Sequence, residues 1–240
     1  MQIEIFDTTQ QIAAAVSAIL LKQVRENPQS VLGFATGSSP VETYQKLIAA
    51  HAAGDADFSQ VTTFNLDEYC ALPQTDPHSY FSFMREQLFD KAGFDYSRVH
   101  FLTADTQDYE SVCRAYREEI RRCGGIDIQL LGIGRNGHIG FNEPSDSFSD
   151  GPFMVELSQS TLDANARFFE NGTPPRYALT MGIGDILAAK KILLIATGDS
   201  KADAVYAMVR GEVTPQCPAS VLQTHPDVTV FLDRASARLL

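Results

Sequence analysis

The sequence predicts a single α/β domain, residues 1–240, built on one doubly wound, mainly parallel sheet with helices on both faces. Three observations predict this Rossmann-like arrangement. Short apolar runs that are typical of buried strands alternate with segments whose apolar residues recur at helical spacing. Several of these runs end in turns rich in glycine, serine or threonine, as strands do at the ligand-binding edge of such a sheet. No linker-like stretch interrupts the alternation, and 44% hydrophobic residues in 240 allow a sizeable core.

The first strand and helix are predicted within residues 3–27. Residues 3–6 have the pattern of a short strand. Thr8 and its neighbours offer an N-cap, apolar residues recur at helical spacing from Ile12 onward, and Asn27 with Pro28 ends the helix.

A second buried strand, residues 31–35, leads into a Thr-Gly-Ser-Ser turn at residues 36–39, and Pro40 suits the first position of the next helix. Backbone N–H groups in such a turn and the positive end of the helix attract anions. The turn lacks the spacing of an ATP-binding P-loop and of a dinucleotide-binding turn. It is a candidate phosphate site, although an ordinary capped turn has the same composition.

A third strand, residues 61–66, is followed directly by Asp67 and Glu68. Residues just past the carboxyl ends of parallel strands line the cleft, so this carboxylate pair suits acid–base work. The alternative is that the two carboxylates only solvate a loop. Residues 80–89 then have helical spacing, and we expect their aromatic side chains, Tyr80 among them, in the core rather than on a recognition surface.

A buried strand at residues 126–133 breaks into a loop with four glycines. This loop carries Asn136, His138 and Glu143. Histidine side chains change charge near neutral pH, and a carboxylate close by can orient one, so the loop is a candidate site of proton transfer. The alternative is a hydrogen-bonded structural histidine in an ordinary turn.

The other segments complete the alternation. Residues 100–102 form a predicted strand, 109–122 a helix, 145–151 an irregular stretch, 162–169 a helix that carries Arg167, and 183–189 a short helix. A strand at residues 191–196 runs into a turn that ends in Lys201, and residues 228–232 supply the last strand.

Charge and cysteine usage exclude some classes of function. A net charge of −11 disfavours nucleic acid and anionic membranes, because binding to phosphate backbones depends on Lys and Arg. The four cysteines lack the spacing of a zinc site or a disulfide scaffold, so we expect reduced thiols and no metal. The amino terminus is charged too early for a signal peptide, and no apolar run is long enough for a membrane span. These observations predict a cytoplasmic protein.

Four predicted strand ends should meet at one edge of the sheet: residues 36–39, 67–68, 136–143 and 197–201. Two of them suit the binding of an anion, and two carry groups that can move protons. Together they predict a small phosphorylated substrate that undergoes proton-transfer chemistry.

The assembled motifs resemble the glucosamine-6-phosphate deaminase family. The matching segments are residues 33–40, 63–69, 131–144, 164–169, 177–184 and 197–201, so the likeness covers nearly the whole chain. The resemblance implies an isomerase–deaminase that converts glucosamine 6-phosphate and water into fructose 6-phosphate and ammonia in amino-sugar catabolism, with no metal or organic cofactor.

The resemblance also implies a role for particular residues. Asp67 would move the C2 proton, and His138 would open the pyranose ring with support from Glu143 and Asn136. The phosphate would be held by a separate group of residues: Thr36, Gly37, Ser38, Arg167 and Lys201.

Two departures from the family pattern qualify this reading. Many members have aspartate where this chain has Asn136, and an amide can orient a hydrogen bond but cannot take up a proton. Members activated by N-acetylglucosamine 6-phosphate carry a basic stretch after the Asn-Glu-Pro motif, whereas residues 145–153 contain no cation here. We therefore expect no allosteric activation and a monomer, with a homo-oligomer as the alternative.

Two rival functions are weighed against this one. 6-Phosphogluconolactonases resemble this chain in the phosphate turn and the Gly-His loop, but they have an apolar Leu-Phe-Pro ending in the run after the histidine, where this chain has Ile139 to Pro144. A sugar-phosphate sensor that binds and does not react is the second rival, because a fold does not fix a function. The presence of Asp67, His138 and Glu143 together favours the deaminase.

Overall fold

The structure is a computed structural model that describes residues 1–103, 108–166, 169 and 173–240. Seven strands form a sheet in which every neighbouring pair is parallel, in the order β1-β10-β9-β6-β2-β3-β5. Their bounds are β1 Gln2–Phe6, β2 Val31–Phe34, β3 Thr62–Asn65, β5 Val99–His100, β6 Ile128–Leu131, β9 Lys191–Ala196 and β10 Val228–Asp233. The remaining strands are β4 Asp67–Tyr69, β7 Phe153–Glu156 and β8 Tyr177–Thr180.

The helices connect the strands of the large sheet. They are α1 Thr9–Glu26, α2 Val41–Ala52, α3 Tyr80–Met84, α4 Asp90–Ala92, α5 Tyr109–Arg122, α6 Gln159–Asn165, α7 Ile183–Leu187 and α8 Ala202–Arg210. A π-helical turn at Arg85–Phe89 joins α3 to α4, and a 3-10 turn at Asp199–Lys201 precedes α8. Thr8 caps α1 through a capping box with Gln11, as the sequence predicts. None of the helices described is both long and apolar enough to cross a bilayer.

Hydrophobic clusters cover both faces of the seven-stranded sheet. Successive strand residues point to opposite faces, so Leu130 packs with α1 and α2 whereas Leu131 packs with α5 and α8. Both leucines are fully buried, at 0% and 1% exposure. The predicted doubly wound, parallel α/β fold is therefore confirmed. That residues 1–240 form one domain stays a prediction.

A second, three-stranded antiparallel sheet, in the order β4-β8-β7, is absent from the sequence-based prediction. The chain leaves β3, passes Leu66, and pairs β4 with β8 so that Asp67 lies opposite Thr180. This sheet was missed because its strands have only three or four residues each, and β4 is rich in polar groups. Its main consequence is that Asp67 and Glu68 belong to a buried strand rather than to a loop.

The crevice for a ligand lies between β2 and β6. These strands are neighbours in the sheet, yet the chain proceeds from β2 toward β3 and from β6 toward β9, on opposite sides. Such a reversal of direction separates the two following loops and opens a cleft at the carboxyl ends of the strands.

Candidate active site

A cavity of about 740 Å³ occupies this crevice. Seven of the nine predicted site residues line it: Thr36, Gly37, Ser38, Asp67, Asn136, His138 and Lys201. Glu143 lies directly behind His138. Arg167 lies outside the described residues. The structure thus brings together the four predicted strand ends, including residues more than 160 positions apart in the sequence.

The turn after β2 forms one wall of the cavity. Gly37 has φ +88°, a conformation that residues with a side chain rarely adopt, and it turns the chain from β2 into α2. Pro40 stands at the N-cap of α2, one position before the predicted place, and no side chain caps the helix. The first N–H groups of α2 therefore remain available to a ligand, as binding of an anion requires.

A second turn, after β9, brings Lys201 into the cavity. Gly198 donates its N–H to the carboxylate of Asp233, at 2.9 and 3.1 Å from the two oxygens, which ties the turn to the end of β10. The Lys201 ammonium donates to the carbonyl oxygen of Ile133 at 2.5 Å. The cation is thereby held against the loop that follows β6.

The loop after β6 is folded tightly around the ring of His138. The N–H of Gly134 donates to the carbonyl of His138 at 2.8 Å, and the N–H of Gly137 donates to the carbonyl of Gly134 at 3.1 Å. A Cβ atom at position 134 would lie 2.3 Å from the imidazole, so glycine is needed for this close approach. The loop geometry therefore fixes where the imidazole stands.

Three side chains surround the carboxylate of Glu143. Asn136 Nδ2 donates to Glu143 Oε2 at 2.7 Å, the hydroxyl of Thr161 donates to Oε1, and His138 Nδ1 lies 3.6 Å from Oε2. The last distance is that of an ion pair rather than of a hydrogen bond. Burial opposes ionisation, but His138, Thr161 and Asn136 outweigh it and lower the pKa of Glu143 to about 2. Glu143 is therefore charged beside the imidazole at neutral pH.

Asp67 faces the cavity from β4 and has the opposite electrostatic surroundings. Asp67 is 6% exposed, and its carboxylate accepts no hydrogen bond from the residues that the structure describes. Burial, with a smaller effect of the charge on Glu68, raises the pKa of Asp67 to about 8. A carboxylate with so high a pKa is a stronger base than an exposed one, which suits it to proton abstraction.

Glu68 has a different role from its neighbour. Because side chains alternate along a strand, it points away from the cavity and accepts the backbone N–H groups of Tyr69, Tyr80 and Phe81, each at 2.9 Å. Two of these donors are the first residues of α3, so the carboxylate anchors the start of that helix. Only one member of the predicted carboxylate pair therefore lines the cavity.

Thr180 of the small sheet and Asn142 of the loop itself hold the loop after β6 in place. Thr180, opposite Asp67 in β8, accepts the N–H of Phe141 at 3.0 Å. The amide of Asn142 donates to the carbonyl oxygens of Ile139 at 2.9 Å and of Met181 at 2.8 Å. The strand that carries Asp67 and the loop that carries His138 are thus fixed to the same element, β8.

Tyr80 and Thr161 belong to the site, although the sequence did not predict it. Tyr80 was expected in the core; it packs there against Tyr69 and Phe141 but also lines the cavity. Thr161 carried no recognisable signal, because its contact with Glu143 joins residues 18 positions apart through tertiary packing. A threonine three residues after the N-cap of a short helix gives no hint of such a contact.

Fold and cavity together are those of an α/β enzyme whose cavity suits acid–base chemistry on a small anionic substrate. The cavity wall offers a turn, a helix N-terminus and a lysine, together with a raised-pKa carboxylate and an imidazole that has a charged glutamate beside it.

Comparison with known proteins narrows this class to a family. The family model for glucosamine-6-phosphate isomerases and 6-phosphogluconolactonases matches residues 6–231, and the chain belongs to this family. The chain is similar to glucosamine-6-phosphate deaminase of Shewanella loihica, with 48% identity over 100% of this chain and 90% of that protein. It is also 46% identical to glucosamine-6-phosphate deaminase 2 of Bacillus subtilis, over 100% of this chain and 98% of the relative.

Solved structures of proteins in this family also resemble the chain. A monomeric glucosamine-6-phosphate deaminase superposes with a TM-score of 0.97 at 42% identity, over 100% of both chains. 6-Phosphogluconolactonase from Trypanosoma brucei superposes with a TM-score of 0.81 at 20% identity, over 100% of this chain and 98% of that one. The second likeness shows a shared fold and no more.

Proposed function

We propose that this enzyme converts glucosamine 6-phosphate and water into fructose 6-phosphate and ammonia, as a step of amino-sugar catabolism. The observation that carries the proposal is that Asp67 and His138 line one cavity with the turn at residues 36–39, while Glu143 lies behind the imidazole. The names of relatives that are 46 to 49% identical along the whole chain support it. Solved structures named as 6-phosphogluconolactonases are much more distant, at 18 to 20% identity.

In this proposal the phosphate is held at the end of the cavity formed by the turns after β2 and β9. Thr36, Gly37 and Ser38 supply hydroxyl and backbone N–H donors together with the uncapped start of α2. Lys201 supplies positive charge at the opposite wall. Arg167 is the further phosphate-binding cation that the family resemblance implies.

Ring opening is assigned to His138. The closed pyranose has no free carbonyl, so its C2 proton becomes acidic only after a proton moves from the O1 hydroxyl to the ring oxygen. An imidazole can take up the proton of the O1 hydroxyl and deliver it to the ring oxygen. Glu143, with its pKa of about 2, stabilises the imidazolium formed on the way, and the amide of Asn136 holds that glutamate in position.

The isomerisation is assigned to Asp67. Its carboxylate removes the C2 proton of the open-chain aldehyde to give an enolamine, and a proton is then delivered to C1. The resulting C2 imine adds water and loses ammonia, which leaves the C2 ketone of fructose 6-phosphate. The raised pKa of Asp67 supports this role, because a buried carboxylate near pKa 8 both accepts and returns a proton near neutral pH.

The proposal includes a monomeric enzyme without allosteric activation. The solved relative with a TM-score of 0.97 is described as monomeric, and residues 145–153 carry no cation that could hold a sugar-phosphate effector. Light scattering should give the mass of one chain, and the substrate saturation curve should be hyperbolic with or without N-acetylglucosamine 6-phosphate. That the enzyme works in the cytoplasm stays a prediction from the sequence.

The test is a product assay with glucosamine 6-phosphate in the presence of a metal chelator. We expect ammonia and fructose 6-phosphate in equal amounts. The Asp67→Asn variant, purified in the same way, controls for any deaminase carried over from the expression host, since a contaminant would act equally in both preparations. 6-Phosphogluconolactone is offered in parallel.

Two results would contradict the proposal. Lactone hydrolysis without ammonia would assign the chain to the lactonase activity of the family. Binding of glucosamine 6-phosphate in a calorimeter without formation of any product would make the protein a sugar-phosphate sensor.

A further inference from the structure

We infer that Arg135 is a phosphate-binding residue of this site, which contacts the substrate phosphate together with Lys201. This inference rests on the proposed function for the identity of the substrate. No role for Arg135 follows from the sequence motifs, in which it stands between the glycines of the loop and Asn136.

Arg135 lines the cavity with an exposed side chain that has no partner. Among the described arginines, only Arg135 and Arg210 have no ion pair and no hydrogen bond from the guanidinium group. Arg210 ends α8 and does not line the cavity. Arg135 is therefore a guanidinium at the mouth of the site whose donors are all available to a ligand.

The position of Arg135 in the fold places it between the two phosphate-holding turns. Strand β6 lies between β2 and β9 in the sheet, so its loop runs between residues 36–39 and Lys201. The Lys201 ammonium already contacts the carbonyl of Ile133, two residues before Arg135. Two residues span at most roughly 7 Å, so Arg135 and the Lys201 ammonium line neighbouring parts of the same cavity wall.

The negative charge around the cavity explains why a second cation would favour the binding of a phosphate. The chain carries a net charge of −11, and Asp163 lines the cavity, so a doubly charged phosphate enters against a negative field. Lys201 offers the phosphate only a compact ammonium charge, and this ammonium already donates to the carbonyl of Ile133. A guanidinium adds a planar pair of N–H donors that match two phosphate oxygens at once.

The test compares Arg135→Gln with Arg210→Gln, which loses the same charge outside the cavity. For Arg135→Gln we expect the KM for glucosamine 6-phosphate to rise about tenfold, as for the loss of one charge-assisted hydrogen-bonded contact, with kcat within about twofold of the parent. The affinity for inorganic phosphate, measured by calorimetry, should fall by the same factor. Arg210→Gln should change neither value, and Arg135→Lys should recover part of the loss.

Three outcomes would overturn the inference. One is an unchanged phosphate affinity in Arg135→Gln. Another is an equal loss in Arg210→Gln, which would reflect overall charge. The third is a loss that disappears at high salt, because screening abolishes long-range attraction but not a direct contact. The calorimetric measurement needs no turnover, so Arg135-dependent binding of phosphate can be established even if the proposed reaction fails.

Discussion

Asp67 lines the cavity, whereas Glu143 lies behind the cavity-lining His138, and the environments of these two carboxylates shift their acidities in opposite directions. Asp67 lies on a buried strand without a donor among the described residues, and its pKa rises to about 8. Glu143 is also mostly buried, but donors surround it and its pKa falls to about 2. The two groups are thereby suited to different tasks, one to exchange protons and the other to stay charged.

The difference shows that burial alone does not decide the state of a carboxylate. Desolvation is the largest single influence on both groups and disfavours the charged form of each. What separates them is the supply of donors: a strand whose neighbours are Glu68 and Thr180 offers Asp67 none, whereas the loop and α6 offer Glu143 two. The predictions below test this comparison.

Replacement of Asp67 by asparagine should have the largest effect. The amide keeps the shape of the side chain but cannot accept the C2 proton, so we expect kcat to fall by roughly 10²- to 10⁴-fold, the range for loss of a general base. Binding of glucosamine 6-phosphate, measured by calorimetry, should remain within a few fold because Asp67 does not contact the phosphate turn. A variant that keeps its turnover would remove Asp67 from the mechanism.

The pH dependence of kcat/KM should report the raised pKa of Asp67. The base must be deprotonated to act, so kcat/KM should increase with pH and level off near pH 8, with a slope of roughly tenfold per unit below that value. Glu143, with a pKa of about 2, should contribute no step in this range. A profile that is flat on both sides of pH 8 would show that Asp67 is an ordinary carboxylate.

Replacement of Glu143 by glutamine should have a smaller effect than loss of the base. The neutral amide cannot stabilise the imidazolium of His138, so we expect kcat to fall roughly 10²-fold, the lower end of the range for acid–base groups. The rise of kcat/KM toward pH 8 should persist, because Asp67 is unchanged. Loss of that rise in Glu143→Gln would show that the two carboxylates titrate as one coupled system.

The large sheet and the anion-binding turns were predictable because their signals are local. The apolar run of β2 and the Thr-Gly-Ser-Ser turn after it lie within a few residues of each other, and the parallel sheet then forces the strand ends together. The same reasoning placed His138 and Glu143 in one loop with Asn136, and the structure brings all three into contact.

The small sheet, and the different directions in which the Asp67 and Glu68 side chains point, were not predictable from local signals. Strand β4 has three residues and pairs with Tyr177–Thr180, more than a hundred positions later. Without that pairing the alternation along β4 is unknown, so nothing in the sequence shows that Asp67 faces the cavity while Glu68 faces α3. Acidities depend on the same tertiary neighbours, which is why the sequence predicted both carboxylates of the proposed mechanism but not their opposite pKa shifts.

Replacement of Thr161 by valine should have the smallest effect on kcat. It tests how much the hydrogen bond from Thr161 contributes to the function of Glu143. The change keeps the shape but removes the donor to Glu143 Oε1, a contact worth about 1 kcal/mol or roughly fivefold in kcat. Asn136 still holds the other oxygen, so the loss should stay well below that of Glu143→Gln. The control is Thr161→Ser, which retains the hydroxyl and should restore kcat. If the serine and valine variants lose equal activity, the packing of α6 and not the hydrogen bond accounts for the effect, and Asn136 alone would fix Glu143.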